Sequence, residues 1–216
     1  MKISASFLGV ENIPACLEAL NQTDVDFIHV DVMDGKYVKQ KTLPFQEMRH
    51  ISNYTQKRLD VHLMVEKPSE YIDQYATLNT EYITIHQDIK EDVLSCLKQI
   101  KNYAIKTGLA LNPNDTIQEM IPYLPYLDLI LVMGVVPGKS GQEFLEETKE
   151  KLKEVQQLKK EYPKLNFLIS IDGGINDKNV HQIKDFVDII VSGSYITKSK
   201  NYQEAVNCLK EERKEV

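Results

Sequence analysis

The 216 residues carry 26 basic and 32 acidic side chains, giving a net charge of -6 and a pI near 5.5, so bulk charge draws the chain to neither nucleic acid nor an anionic membrane. A hydrophobic share of 42% and a charged share of 27% are those of a globular chain long enough to bury a full core. The opening MKISASFLGV turns polar too soon for a signal peptide, no apolar run nears ~18 residues, and the scattered Cys16, Cys96 and Cys208 lack paired spacing, which predicts reduced thiols in a cytoplasmic protein.

Short β-branched runs alternate with longer amphipathic ones. A strand over 3–8 leads into a helix over 14–20, with Pro14 suited to its start, where a missing N–H costs nothing. Strands over 25–33 and 58–65 follow, then a helix over 68–78 and a strand over 81–86. The helix over 91–105 contains VLSCLKQIKNYAI, whose apolar residues recur at three and four. Strands over 108–112 and 127–133, a helix over 143–162 and strands over 166–171 and 187–192 complete the series, and the closing KEERKEV reads as a solvated helix tail. No linker or low-complexity tract interrupts the chain, which predicts one domain spanning 1–216. Eight strands, each followed by a helix, imply an α/β fold with a parallel sheet, closed at this length into a (β/α)8 TIM barrel; an open doubly wound sheet is the alternative. Every glycine except Gly108 follows the end of a strand, which concentrates backbone freedom on the C-terminal face, where such barrels carry their sites.

Three strands carry costly polar groups: HVDVMDG from His29, LDVHLMV from Leu59 and ISIDGG from Ile169. Residues two apart share a strand face, so His29, Asp31 and Met33 point one way, as do Asp60, His62 and Met64, and as do Ser170 and Asp172. In a barrel these faces converge, and His29, Asp31, His62 and Asp172 form an N2O2 set suited to Zn, Fe, Mn or Co. Singly, a strand histidine is more often a hydrogen-bonded core residue, and a buried aspartate can be an ion-pair partner. Three such sets at C-terminal strand ends favour a functional site. Asp34 suits the turn with Gly35, Asp60 is either support beneath the ligands or a simple ion pair, and His86 reads as core or rim. His50 and His181 read as surface helix residues.

In order, KISASFL, HVDVMDG, LDVHLMVEKP, ITIH, GLALNP, ILVM, PGKSGQEF, SIDGGIN and VSGS resemble the ribulose-phosphate 3-epimerase family, which includes allulose-6-phosphate 3-epimerase, over nearly the whole chain. The resemblance implies a barrel that inverts C3 of a ketose phosphate with one divalent metal and no organic cofactor. It implies His29, Asp31, His62 and Asp172 as ligands and Asp31 and Asp172 as the proton-transfer pair. Ser6 and His62 match substrate contacts, and Met33, Met64 and Met133 match a wall around the site. Gly138, Lys139, Ser140, Gly141, Gly173, Gly174, Gly193 and Ser194 fall in its phosphate-contacting stretches, although each glycine loop alone is equally a tight turn. Two carboxylates suit the chemistry, because a proton must leave one face of C3 and return to the other. A divalent cation suits the enediolate between them as a Lewis acid.

The chain departs from the family in the loop KYVKQK after strand two, in Val136-Pro137-Gly138-Lys139-Ser140-Gly141, at Ala5 and at Ser170. The ligand set stands, so the reaction type is expected to hold, with ribulose 5-phosphate and xylulose 5-phosphate ahead of allulose 6-phosphate. Two other readings stand beside it. A decarboxylase or aldol-type lyase is disfavoured because LDVHLMV lacks the Asp-x-Lys-x-x-Asp lysine, and a non-catalytic sugar-phosphate barrel is disfavoured by the presence of both aspartates. The expected partner is a small phosphorylated ketose, with no nucleic acid and no membrane, and a homo-oligomer is left open.

Overall fold

The computed structural model describes residues 1–210; of the KEERKEV tail only Lys210 lies among them, and the rest falls outside the described residues. Eight parallel strands close into a barrel in chain order: β1 (Lys2–Ser6), β2 (Phe27–Met33), β3 (Arg58–Met64), β4 (Thr80–His86), β5 (Lys106–Leu111), β6 (Leu129–Met133), β7 (Leu168–Asp172) and β8 (Ile189–Ser192). Closure comes from β1 pairing with both β2 and β8. The strands read as nearly continuous apolar runs because both faces are covered, one by helices and one by the barrel interior. β2 is buried at every position.

The outer layer is less regular than the sequence pattern implies. Helices α1 (Ile13–Asn21), α3 (Ser69–Tyr75), α4 (Val93–Asn102), α5 (Thr148–Glu161) and α7 (Tyr202–Lys210) follow β1, β3, β4, β6 and β8, with the short α6 (Ser194–Thr197) also following β8. After β2 only the one-turn α2 (Phe45–Met48) forms, running into a 3-10 turn. The expectation of a helix after every strand fails further round. Residues Ile117–Tyr126 form a 3-10 helix, because Pro122 and Pro125 lack the N–H that an α-helix interior needs. After β7 there are only two three-residue 3-10 turns. Caps explain the starts that hold: Asn12 accepts from the Ala15 N–H at 3.2 Å, and Asp92 accepts from the Ser95 N–H at 2.8 Å. Among the described residues no helix is long and apolar enough to cross a membrane, and Cys16, Cys96 and Cys208 are all free thiols.

The barrel interior is graded. At its N-terminal end Phe27, Tyr82, Leu129 and Ile189, one from each even strand, pack into an apolar plug, with the Phe27 and Tyr82 rings edge to face at 5.6 Å. Gly108 lies inside β5 rather than at its start, and a Cβ there would meet Thr84 Oγ1 at 2.2 Å. Above the plug the lining turns polar. In register, His29 faces Asp60, Asp31 faces His62, Met33 faces Met64, and Met133 faces Asp172.

Candidate metal and substrate site

The four side chains singled out by strand periodicity meet at the C-terminal end of the barrel. One ligand atom from each of His29, Asp31, His62 and Asp172 lies within 4.8 Å of the other three. His29 Nε2 is 3.5 Å from Asp31 Oδ1 and 3.7 Å from Asp172 Oδ2, and His62 Nδ1 repeats both distances. Donors on a four-coordinate cation with bonds of about 2.0–2.1 Å stand about 3.4 Å apart, so the cluster is close to the required size. The decisive feature is that His29 Nε2 and His62 Nδ1, both buried, have no hydrogen-bond partner. Such orphans are costly unless something else satisfies them. The donor set fits a divalent transition metal.

Each histidine is held by its other nitrogen. His29 Nδ1 lies 2.8 Å from Asp60 Oδ2, the same oxygen that accepts from Ser4 Oγ at 2.8 Å, so Asp60 sits beneath a candidate ligand and steers it. His62 Nε2 lies 2.8 Å from His86 Nε2, with the two rings stacked at 5.0 Å. His86 is fully buried at the end of β4, a core position rather than a rim one, and its ring lies directly behind His62. Asp34 takes the turn role: its Oδ1 accepts from the Lys36 and Tyr37 N–H groups, and its Oδ2 accepts from that of Glu66. His50 is exposed and His181 half-buried, both in 3-10 turns away from the cluster.

Burial and charge separate the titrating groups. Burial works against the His29 imidazolium, but the Asp60 and Asp31 carboxylates outweigh it and raise the pKa well above the ordinary imidazole value. Burial also pushes Asp31 up, yet His29 and His62 overcome it and hold the carboxyl well below the usual range; Ser6 Oγ donates to its Oδ2 at 2.8 Å. Asp172 goes the other way: burial, with the Asp31 charge adding to it, pushes its carboxyl up to about 6 despite His29 and His62. Two carboxylates driven apart in this way are the usual raw material of acid–base work.

A cleft opens over the cluster. Ser6, Asp31, Asp172 and the three methionines Met33, Met64 and Met133 line it, together with Gly138, Lys139, Ser140, Gly141, Gly173, Gly174, Gly193 and Ser194. His29 and His62 lie below its floor, fully buried. The glycines have packing reasons of their own. A Cβ on Gly174, whose φ is +70°, would meet Phe144 N at 2.5 Å, and one on Gly138 would meet Val38 Cβ at 2.8 Å. The loop after β6 therefore packs closely against both the β7 turn and the β2 loop. Lys139 is exposed and is the one cationic side chain among the lining residues described.

Comparison with known proteins gives one consistent result. The sequence model of the ribulose-phosphate 3 epimerase family matches residues 2–197. The ribulose-phosphate 3-epimerase of Helicobacter pylori is 39% identical over 215 residues, covering 99% of this chain and 98% of the relative. That of a Synechocystis species is 34% identical over 209 residues, covering 94% and 88%. Among solved structures, 3-hexulose-6-phosphate synthase from Salmonella typhimurium superposes with a TM-score of 0.66 at 17% identity, covering 97% of this chain and 96% of the other, a likeness of fold alone.

Proposed function

The chain belongs to the ribulose-phosphate 3-epimerase family of isomerases, and from that membership we propose that it inverts C3 of a phosphorylated ketose, interconverting D-ribulose 5-phosphate and D-xylulose 5-phosphate. The observation that carries this reading is the pair Asp31 and Asp172, which reach one cleft from β2 and β7 with β8 and β1 between them. With Asp31 and Asp172 on different sides of a bound C3, one would remove its proton and the other would return a proton to the opposite face. The reaction runs both ways, and each carboxylate serves as base in one direction and acid in the other.

His29, Asp31, His62 and Asp172 would hold a divalent metal, whose chemistry when bound is Lewis-acid stabilisation of the negative charge that develops on the ketose oxygens. The chain's own groups do the rest. Ser6 Oγ, 2.8 Å from Asp31 Oδ2, fixes the orientation of that carboxylate. Met33, Met64 and Met133 form an apolar wall that keeps bulk water from a deprotonated intermediate. The loops around Gly138–Gly141, Gly173–Gly174 and Gly193–Ser194 line the cleft, and their backbone N–H groups would suit the phosphate. The loop KYVKQK leaves a six-carbon ketose phosphate as the competing substrate. In deuterated buffer, the metal-loaded protein is expected to exchange the C3 hydrogen of ribulose 5-phosphate and to lose this activity with a chelator. Equal exchange on unphosphorylated ribulose would refute the phosphate grip. Faster exchange on allulose 6-phosphate would overturn the five-carbon choice.

A further inference from the structure

We propose that Tyr37 is a positioning residue: its hydroxyl latches the loop after β2 so that Val38 sets the place of the loop after β6, one of those that would hold the phosphate. This rests on the reading of the cleft as a ketose-phosphate site. Tyr37 and Val38 belong to KYVKQK, the stretch in which this chain departs from the family. The base of the loop is closed by a bridge between Asp34 and Lys41, and by the Thr42 N–H donating to the Met33 carbonyl at 3.2 Å. That closure leaves the tip to be held by other means. Among the described residues, Tyr37 is the one side chain of 36–40 that hydrogen-bonds to another loop. Its Oη donates to Asp88 Oδ1 at 2.7 Å, past the end of β4, and accepts from Asn112 Nδ2 at 3.0 Å, past the end of β5. Asn112 Nδ2 also donates to Asp88 Oδ2 at 3.3 Å, so hydroxyl, carboxylate and amide close a ring of hydrogen bonds.

The amide side of that ring is a fixed post. The Asn112 N–H donates to Asp115 Oδ2 at 2.7 Å, and Lys151, in the first turn of α5, donates from Nζ to the carbonyls of Asn112 at 2.9 Å and Asp115 at 2.7 Å. The other side of the latch is Val38. A Cβ on Gly138 would meet Val38 Cβ at 2.8 Å and Cγ1 at 2.9 Å, so the valine lies directly on the α-carbon of this buried glycine. No larger residue fits there, and the φ of +103° also calls for glycine. Further along the same loop Gln142 Nε2 donates to the carbonyls of Val136 at 2.7 Å and Lys139 at 2.9 Å, so the loop is tied to itself and a shift at Gly138 is carried along it. With the hydroxyl bound, Val38 meets Gly138 in one place. Without it the tip hinges on its base and the β6 loop loses its stop. The Tyr37 ring has a separate task, lying on His86 at 4.8 Å.

The test separates hydroxyl from ring. Tyr37→Phe keeps the ring beside His86 and removes only the latch. It should raise KM for ribulose 5-phosphate ~3–10-fold, part of the ~10–100-fold that a hydrogen bond to a charged group is worth. Because the latch acts on binding alone, kcat should stay within about threefold of the parent and zinc affinity should not change. Val38→Ala should give the same split between KM and kcat. Combining Tyr37→Phe with Asp88→Ala should cost no more than the larger single change, because both open one ring of hydrogen bonds. In substrate-free protein, amide hydrogen exchange over 136–142 should be faster in Tyr37→Phe than in the parent. Unchanged exchange there, an unmoved KM, or effects of Tyr37→Phe and Asp88→Ala that multiply would each overturn the latch. So would a fall in zinc affinity at constant KM, the mark of a role through His86 instead. A parent that turns over no ketose phosphate would sink the functional reading, and the exchange measurement would still decide the latch.

Discussion

Asp60→Asn is the sharpest test of how the candidate metal site is supported, because it removes a charge and leaves the shape. Asp60 Oδ2 lies 2.8 Å from His29 Nδ1 and takes the Ser4 hydroxyl at the same distance. A hydrogen bond to a charged group contributes about 1.5–3 kcal/mol and a neutral one about 0.5–1.5, so the metal-depleted variant should lose about 1–2 kcal/mol of stability. With metal, His29 would lose the carboxylate that orients it and raises its basicity; a 10–100-fold fall in affinity corresponds to about 1.4–2.7 kcal/mol. Sign matters here. His29 has a folded pKa above its unfolded value, so its contribution is fully present below the unfolded pKa and is lost as pH rises through the folded one. Removing Asp60 pulls that folded pKa down, so the contribution should be smaller and its loss complete at lower pH. Chelator competition gives the affinity, and urea unfolding in excess chelator gives the stability. Affinity within twofold of the parent, with unchanged unfolding, would refute the idea that Asp60 acts through His29.

Asp31→Asn and Asp172→Asn should each slow C3 exchange by ~10²–10⁴-fold, with metal content measured alongside; near-normal turnover with metal retained would rule out the two-carboxylate scheme. Gly174→Ala would force a Cβ to 2.5 Å from Phe144 N at a φ of +70°, costing about 1–3 kcal/mol and raising KM for the phosphorylated ketose as the β6 loop shifts. An unaltered Tm and KM would show that the loop is not held there. The Asp172 carboxyl titrates in the folded chain at about 6, against 3.8 unperturbed. The folded state therefore binds this proton more tightly, and metal-depleted protein should lose up to about 3 kcal/mol between pH 4 and 6, a trend that Asp172→Asn should flatten. Stability that rises equally in parent and variant over that window would contradict the direction.

The barrel and the four-residue cluster were legible because both rest on period two. A histidine and an aspartate two residues apart on a strand must share a face, and only the interior brings β2, β3 and β7 together, so His29, Asp31, His62 and Asp172 could be grouped from the sequence. Of the helpers, Asp60 alone stood on a matching face, open between support and a simple ion pair. Ser4 and Asp60 meet only because β1 lies beside β2 and β2 beside β3, an approach across two strands that no local spacing reveals. His86, Asn112 and Tyr37 come from three separate segments, and nothing local ties an aromatic loop residue to the end of β5. The outer layer departs from the expectation of a helix after every strand where proline intervenes: Pro122 and Pro125 remove the donors that an α-helix between β5 and β6 would need.

The two histidines are backed differently, and charge explains the difference. Asp31, Asp60 and Asp172 already place three carboxyl groups around one small volume, and the Asp31 charge, added to burial, pushes Asp172 up to about 6. A fourth carboxylate in the place of His86 would push Asp172 higher still and keep it protonated at neutral pH, where a ligand must be ionised. A neutral imidazole beside His62 orients it without adding charge to the cluster.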